Sequence, residues 1–474
     1  MCPFMTYQEA LKYLQSFINY ENISKWPYKE SLKLQRIKDF LAKIDNPQRT
    51  LRCIHIAGTK GKGSTCAFVA YILKEAGYKV GLYTSPHLSD FRERIRILNP
   101  KSLPVPACPC LSLPVRQAGG RQAKSEFEGM ILKDELADLV ERLKPTIEQY
   151  NRNSRHGSLS FFEVYTSLAF VYFKEKKLDF AVLETGLGGR LDATNVVEPL
   201  VVAITPISYE HTQKLGNTLR EIATEKAGII KRQKGKRKRQ NLIVVSAPQK
   251  KEVIEVIRNK CKEVNAKLFE VGKDILYQAI NERFDVQGIF GEYRDLKIRL
   301  LGRHQLINAE VAVGIIEALK FYNINLDIDS IRNGLYHTLW PGRCEVISRN
   351  PLIVLDGAQN VASATVLKEA VRENFKYKKL ILALGISNDK DVKGICNTLR
   401  ALADKVVLTR ADNPRAIEPK ILAKYFNGKQ VYATHSVKEA KTKVYNLATN
   451  REDLILVTGS LFVVGEFRND KNCY

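Results

Sequence analysis

Residues 51–64 read Leu51-Arg52-Cys53-Ile54-His55-Ile56-Ala57-Gly58-Thr59-Lys60-Gly61-Lys62-Gly63-Ser64. The first half is a short apolar strand, with Ile54 and Ile56 alternating with Cys53 and His55. Glycines interleaved with two lysines follow. Thr65 then opens an apolar helical pattern (Phe68, Val69, Ile72, Leu73) that Gly77 stops. Strand, glycine loop and helix N-terminus in that order form an anion cradle. Glycines let N–H groups turn toward a phosphate, the helix start adds partial positive charge, and lysine neutralises the oxygens. Ser64 stands where a hydroxyl can reach a magnesium ion. The spacing is not that of a standard Walker A loop, because Gly63 separates Lys62 from Ser64. A glycine turn alone is weak evidence, but strand, lysines, hydroxyls and helix together point to nucleotide binding.

The chain has 474 residues, more than one ordinary core, so two or three domains are expected. Its apolar content of 45% is that of a globular protein. Apolar runs such as Leu242–Ala247 are far shorter than a membrane span. The N-terminus carries Glu9 and lacks an apolar signal core, so no signal peptide is expected. Nine cysteines, odd in number and never in Cys-x-x-Cys, suit reduced thiols in a cytoplasm and no structural zinc. The net charge of +24 suits nucleic acid or anionic substrates alike. Part of it is the run Lys231, Arg232, Lys234, Lys236, Arg237, Lys238 and Arg239, which has no aromatic interleaved and reads as a solvated loop.

Helical periodicity marks Thr6–Ile18, Ser31–Ile44, Asp134–Gln149, a stretch from Ser160, and Thr218–Ile230. Apolar strands fall at Lys79–Tyr83, Phe180–Leu183, Val201–Thr205 and Leu242–Ser246. Strands alternating with helices imply a doubly wound parallel sheet, which binds ligands at the carboxyl ends of its strands. Ser64, Ser85, Glu184 and His211 all follow expected strands in this way. Residues 99–126 carry five prolines and no periodicity, and read as a surface insertion. Strands are expected again at Leu276–Ile280, Phe284–Ile289 and Leu296–Leu300, then a helix from Gly302 to Phe321. Trp340-Pro341-Gly342-Arg343 looks like a hinge, beyond which α/β alternation restarts. The expected division is therefore 1–335, a hinge at 336–344, and 345–474.

Ala57–Ser64, Thr84-Ser85-Pro86-His87-Leu88, Arg92-Glu93-Arg94-Ile95, Glu184–Asn195, His211-Thr212 and Glu225–Ile230 together resemble the dihydrofolate synthase/folylpolyglutamate synthase family of the Mur ligase superfamily. Gly302–Asn308, Trp340–Arg343, Asp356-Gly357-Ala358-Gln359-Asn360 and Thr458-Gly459-Ser460 extend the resemblance to almost the whole chain outside 99–126. It implies a P-loop-type, mostly parallel sheet domain and a smaller Rossmann-like C-terminal α/β domain. It also implies an ATP-dependent ligase. ATP phosphorylates a carboxylate of a pterin substrate, and the amine of L-glutamate displaces the phosphate. The implied partners are dihydropteroate, tetrahydrofolate polyglutamates, L-glutamate and ATP, with Mg²⁺, in a cytoplasmic monomer that engages neither nucleic acid nor membrane.

By the same resemblance, Thr59, Lys60, Gly61, Lys62, Gly63 and Ser64 cradle ATP, with Asn308, Arg343 and Asp356 completing its site. Ser85, Glu184 and His211 match magnesium ligands. Lys226 matches a lysine carbamylated by CO₂. Ser160, Phe161, Phe162 and Glu163 with Leu191, Asp192 and Ala193 match the pterin pocket. Lys62, Lys226, Arg343 and Asp356 match catalytic positions. Gln359 stands where family members often carry histidine, and glutamine cannot titrate. Two other readings compete: another Mur-type amino-acid ligase, and a basic nucleotide-dependent RNA-binding protein suggested by the charge.

Overall fold

The computed structural model describes residues 5–23, 26–100, 127–233, 241–280 and 283–469. The expected insertion from residue 101 onward and the basic run from residue 234 onward lie outside the described residues.

Seven strands form the first sheet: β1 Cys53–Ala57, β2 Val80–Tyr83, β3 Ile95–Leu98, β4 Phe180–Glu184, β5 Pro199–Ile204, β6 Ile243–Ser246 and β7 Lys267–Glu270. Their order is β3-β2-β4-β1-β5-β6-β7. Every neighbouring pair is parallel except β2 with β3. A parallel sheet is covered on both faces, so its strands read as continuous apolar runs. The side chains divide accordingly. Ile54, Ile56 and Val182 pack into one core with Phe68, Ile72, Val313 and Leu335. Cys53, Ala181 and Leu183 pack into another with Phe40, Phe161 and Phe170. The order reverses at β1, with β4 on one side and β5 on the other, so a crevice opens beyond their carboxyl ends.

Local signals set several helix starts. Thr6, Ser160 and Thr218 each cap a helix in a capping box with Glu9, Glu163 and Glu221 respectively. The first helix stops at Gln15, short of the expected Ile18. The Ser16 N–H turns back onto the Lys12 and Tyr13 carbonyls, and Ile18 is exposed.

Three antiparallel strands follow: β8 Leu276–Ile280, β9 Arg283–Gln287 and β10 Glu292–Leu296. The last lies earlier than the expected Leu296–Leu300. A tight turn in which the Gly288 N–H meets the Gly291 carbonyl at 2.8 Å forces pairing to resume at Glu292. Buried Glu317 anchors this turn by accepting from the Phe290 N–H and the Tyr293 hydroxyl, both at 3.0 Å.

The third sheet holds β11 Glu345–Arg349, β12 Leu352–Leu355, β13 Leu380–Leu384, β14 Lys405–Leu408, β15 Gln430–Ala433 and β16 Leu454–Thr458. Its order is β11-β12-β16-β13-β14-β15, parallel except for β11. The two sheet units also touch away from the connecting residues 336–344. Leu88, from the loop after β2, is buried with Ile353, Leu355, Val464 and Phe467 of the C-terminal unit. Gly465 permits this approach, since a Cβ there would lie 2.0 Å from the Leu88 carbonyl oxygen.

Candidate active site

The glycine loop is gripped from three sides. A Cβ on Gly58 would lie 1.9 Å from Thr205 Oγ1, at the end of β5. One on Gly61, where φ is +80°, would lie 2.1 Å from Asn308 Oδ1. One on Gly63 would lie 2.9 Å from the Trp340 ring. The N–H groups of Thr59 and Lys60 are both taken by the Pro206 carbonyl, at 3.1 and 3.2 Å. Thr59 Oγ1 also donates to the Ser208 carbonyl at 3.2 Å. These two residues therefore fasten the loop to the end of β5. The donors that face outward begin at the helix Lys62–Glu75, capped by Gly61, whose first-turn N–H groups have no carbonyl within the helix.

Charged groups gather around this loop. Lys62 Nζ lies 3.7 Å from Glu184 Oε1, at the tip of β4. The Ser85 N–H, just past the tip of β2, donates to Glu184 Oε2 at 3.2 Å. Burial pushes the Glu184 carboxyl up, opposed by Lys62, the Ser85 N–H and Arg343. Lys226 Nζ donates to the Gly58 carbonyl at 2.7 Å. Burial first, and then repulsion from Lys62, bring the Lys226 ammonium down to about 7. His211 holds a left-handed backbone at φ +51°. Burial lowers its imidazole to about 4, so the ring is neutral at ordinary pH.

The C-terminal unit supplies the opposite wall. Asp356, just past β12, accepts from the Cys344 and Ala358 N–H groups, both at 2.8 Å. Burial pushes the Asp356 carboxyl up, and the Arg343 guanidinium pulls it back. Asn308 is buried and donates to Gln305 at 2.9 Å. His304, four residues earlier, is pushed down to about 4 by burial, then by Arg343 and Lys60. Asn360 Nδ2 donates to Glu210 Oε1 at 3.1 Å, a direct bond between the two units. Burial disfavours the Glu210 carboxylate, but His211, Lys62, Lys390 and Lys226 together hold its pKa below the ordinary value. Glu210, His211, Lys214, Asn360, Asp389 and Lys390 line a cleft of about 710 Å³ between the units.

Residues 143–316 match the Mur ligase middle domain, and residues 342–461 match the Mur ligase glutamate ligase domain. The dihydrofolate synthase/folylpolyglutamate synthase of Bacillus subtilis is 32% identical over 446 residues, covering 92% of this chain and 94% of that protein. The chain belongs to the dihydrofolate synthase/folylpolyglutamate synthase family. The fold agrees with that membership. The ADP complex of Mycobacterium tuberculosis folylpolyglutamate synthase superposes with a TM-score of 0.83 at 28% identity, covering 99% of this chain and 98% of that one. E. coli FolC in complex with DHPP and ADP gives 0.76 at 26% identity, covering 97% and 96%. The nucleotide-binding and glutamate-ligase halves of this family thus meet at the cluster around Lys62.

The residues that match the family's pterin pocket are mostly spoken for. Ser160 donates through N–H and Oγ to Glu163 Oε2, both at 2.7 Å. Glu163 is also paired with buried Arg36 at 2.8 Å. Phe161 is fully buried. Only Phe162 of these four is partly exposed, and its ring would lie 2.7 Å from a Cβ on Gly186. Asp192 accepts from the Leu187 N–H at 2.8 Å and from Thr194 Oγ1 at 2.5 Å, while burial raises its pKa. Leu191 is partly exposed and Ala193 is buried. Three groups in the cleft escaped the sequence reading: Glu210, Asn360 as a bridge, and Lys390. Glu210 had one available signal, its place next to His211 at a strand end.

Proposed function

We propose that this enzyme joins L-glutamate to dihydropteroate, to the glutamate tail of a tetrahydrofolate, or to both, converting ATP to ADP and phosphate. The observation that carries this reading is the convergence of Lys62, Ser85 and Glu184 at one end of the sheet, with Lys226 against the loop and Arg343 acting on Glu184 from across the hinge.

Among the described residues, no three His, Cys, Asp or Glu side chains cluster as a metal cage. Mg²⁺ at a nucleotide fits that donor set, because it keeps waters and phosphate oxygens and needs few protein ligands. Glu184, a neutral His211 and the Ser85 hydroxyl would hold it, and it would offset charge on the ATP phosphates. The N–H groups at the start of the Lys62–Glu75 helix and the Lys62 ammonium hold the β- and γ-phosphates. Asn308 and Asp356 position the nucleoside. The planar Arg343 fork neutralises the phosphoryl group as it passes to the substrate carboxylate. The P–O bond to ADP breaks and one to the carboxylate forms. The glutamate amine then attacks the acyl carbon, loses a proton, and phosphate departs. Closure of the units, bridged by Asn360 and Glu210, excludes water from the acyl phosphate. Phe162 and Asp192 border the pterin. Anionic folates and ATP suit the charge of +24, in a cytoplasmic monomer with no nucleic-acid or membrane partner.

ADP release tests the reading, measured with dihydropteroate and then tetrahydrofolate, each with and without glutamate. Glutamate-dependent release with at least one acceptor is expected. Release with neither would overturn the proposal.

A further inference from the structure

A second cavity, of about 440 Å³, lies against the hinge. Five arginines line it: Arg96, Arg299, Arg343, Arg349 and Arg468. Its two carboxylates are already engaged. Glu128 is held by Lys74 and by the Tyr71 hydroxyl at 2.9 Å. Glu345 accepts from the Gly342 N–H at 2.9 Å and pairs with Arg468 at 3.2 Å. The cavity therefore keeps an excess of positive charge.

Arg96 is the decisive group. It is 1% exposed, and its Nε donates to the Glu128 carbonyl at 2.7 Å. Its Nη1 is buried and has no hydrogen-bond partner. The guanidinium lies 5.3 Å from the Phe127 ring centre and 5.8 Å from that of Trp340, so aromatic faces fix its plane. An unmet guanidinium donor out of water is unfavourable, and it stands at the wall of a cavity large enough to hold an acceptor.

We infer that this cavity binds a multiply charged oxyanion, an oligocarboxylate or an oligophosphate. Planar guanidinium forks match both groups. The site is distinct from the cleft facing His211, and the inference does not depend on which acid the enzyme activates. It does reach the nucleotide loop, because Trp340 lines the cavity and also fills the space beside Gly63. An occupant would steady the ring that packs on the phosphate loop.

The chain has two tryptophans, so Trp26→Phe leaves Trp340 as the sole tryptophan, excited beyond the absorption of tyrosine. That protein, saturated with a non-hydrolysable ATP analogue, is titrated with oligo-γ-glutamate, with tripolyphosphate, and with acetate at matched ionic strength. A saturable change is expected with at least one oligoanion and none with acetate. Oligoglutamate alone would identify the enzyme's own kind of product as the source, and tripolyphosphate alone a phosphate metabolite. Arg299→Ala and Arg349→Ala, both at exposed positions, should each weaken binding at least tenfold. Arg96→Lys, checked by its melting curve, should weaken it further by losing the fork. A response to neither oligoanion would overturn the inference. So would one that acetate reproduces, or one unchanged in both exposed-arginine variants.

Discussion

Consider the substitution Lys226→Gln. Lys226 Nζ is buried, hydrogen-bonded to the Gly58 carbonyl at 2.7 Å, and repelled by Lys62. Burial, and after it Lys62, lower the ammonium from 10.5 to about 7. At pH 7 about half of the side chains are then neutral, against ~0.03% for an ordinary lysine, a gain of roughly a thousandfold. The neutral amine is the form that adds CO₂: an N–C bond forms, and the displaced proton goes to solvent. The product is an anion where a cation stood, so repulsion by Lys62 becomes attraction. Its nitrogen keeps one N–H for the Gly58 carbonyl. Carbamate formation should therefore be half-maximal near pH 7 instead of above pH 10. Native protein equilibrated with ¹³C-bicarbonate at pH 6, 7 and 8 should show a rising carbamate resonance by NMR, and Lys226→Gln should lack it. Ligase turnover in that variant should fall by about 100-fold, the scale of losing one electrostatic group at a phosphoryl-transfer site. A wild-type sample without the resonance at pH 8, or a glutamine variant with full turnover, would refute the reasoning.

Two further perturbations test the frame around the site. Glu310 is fully buried in the Arg303–Ala318 helix, neither carboxyl oxygen has a hydrogen-bond partner, and burial raises it from 4.5 to about 8. The unfolded chain ionises first, so this group lowers stability progressively from about pH 4.5 to about pH 8, by up to ~5 kcal/mol at ~1.4 kcal/mol per pH unit. Glu310→Met should raise the melting temperature more at pH 8 than at pH 5; equal shifts at both would sink the account. Gly61→Ala would force a Cβ to 2.1 Å from Asn308 Oδ1 at a φ of +80°. The strain, of order 1–2 kcal/mol or more, should weaken ADP binding about tenfold or more by calorimetry, with unchanged circular dichroism; unaltered affinity would contradict it.

The parallel strands were legible because burial on both faces makes them uninterrupted apolar runs, as in Phe180–Leu183 and Val201–Ile204. Strand β11, Glu345–Arg349, was not, since its side chains are half-buried or exposed and show no clean alternation. The helix Ile328–His337 also escaped, with Gly334 in its last turn arguing against it. Its reason is tertiary: a Cβ at Gly334 would lie 2.3 Å from the Ile72 Cα, so the glycine permits two helices to cross closely. At the site, the loop lysines and the strand-tip residues could be read in order along the chain. The Asn360–Glu210 bond joins positions 150 residues apart, and no local pattern encodes that pairing. The pterin-pocket match was legible as a motif, but not that Ser160 and Glu163 would spend their polar atoms on a helix cap and on Arg36.

Leu88 lies three positions beyond Ser85, the residue whose N–H steadies Glu184. Its side chain is lodged in the C-terminal core, and its carbonyl fits against Gly465. The loop is thus a tether between the C-terminal unit and the tip of β2. A displacement of the C-terminal unit would therefore be felt at that tip, where the Ser85 N–H meets Glu184. One leucine thereby links the core of the far unit to the carboxylate at the tip of β4.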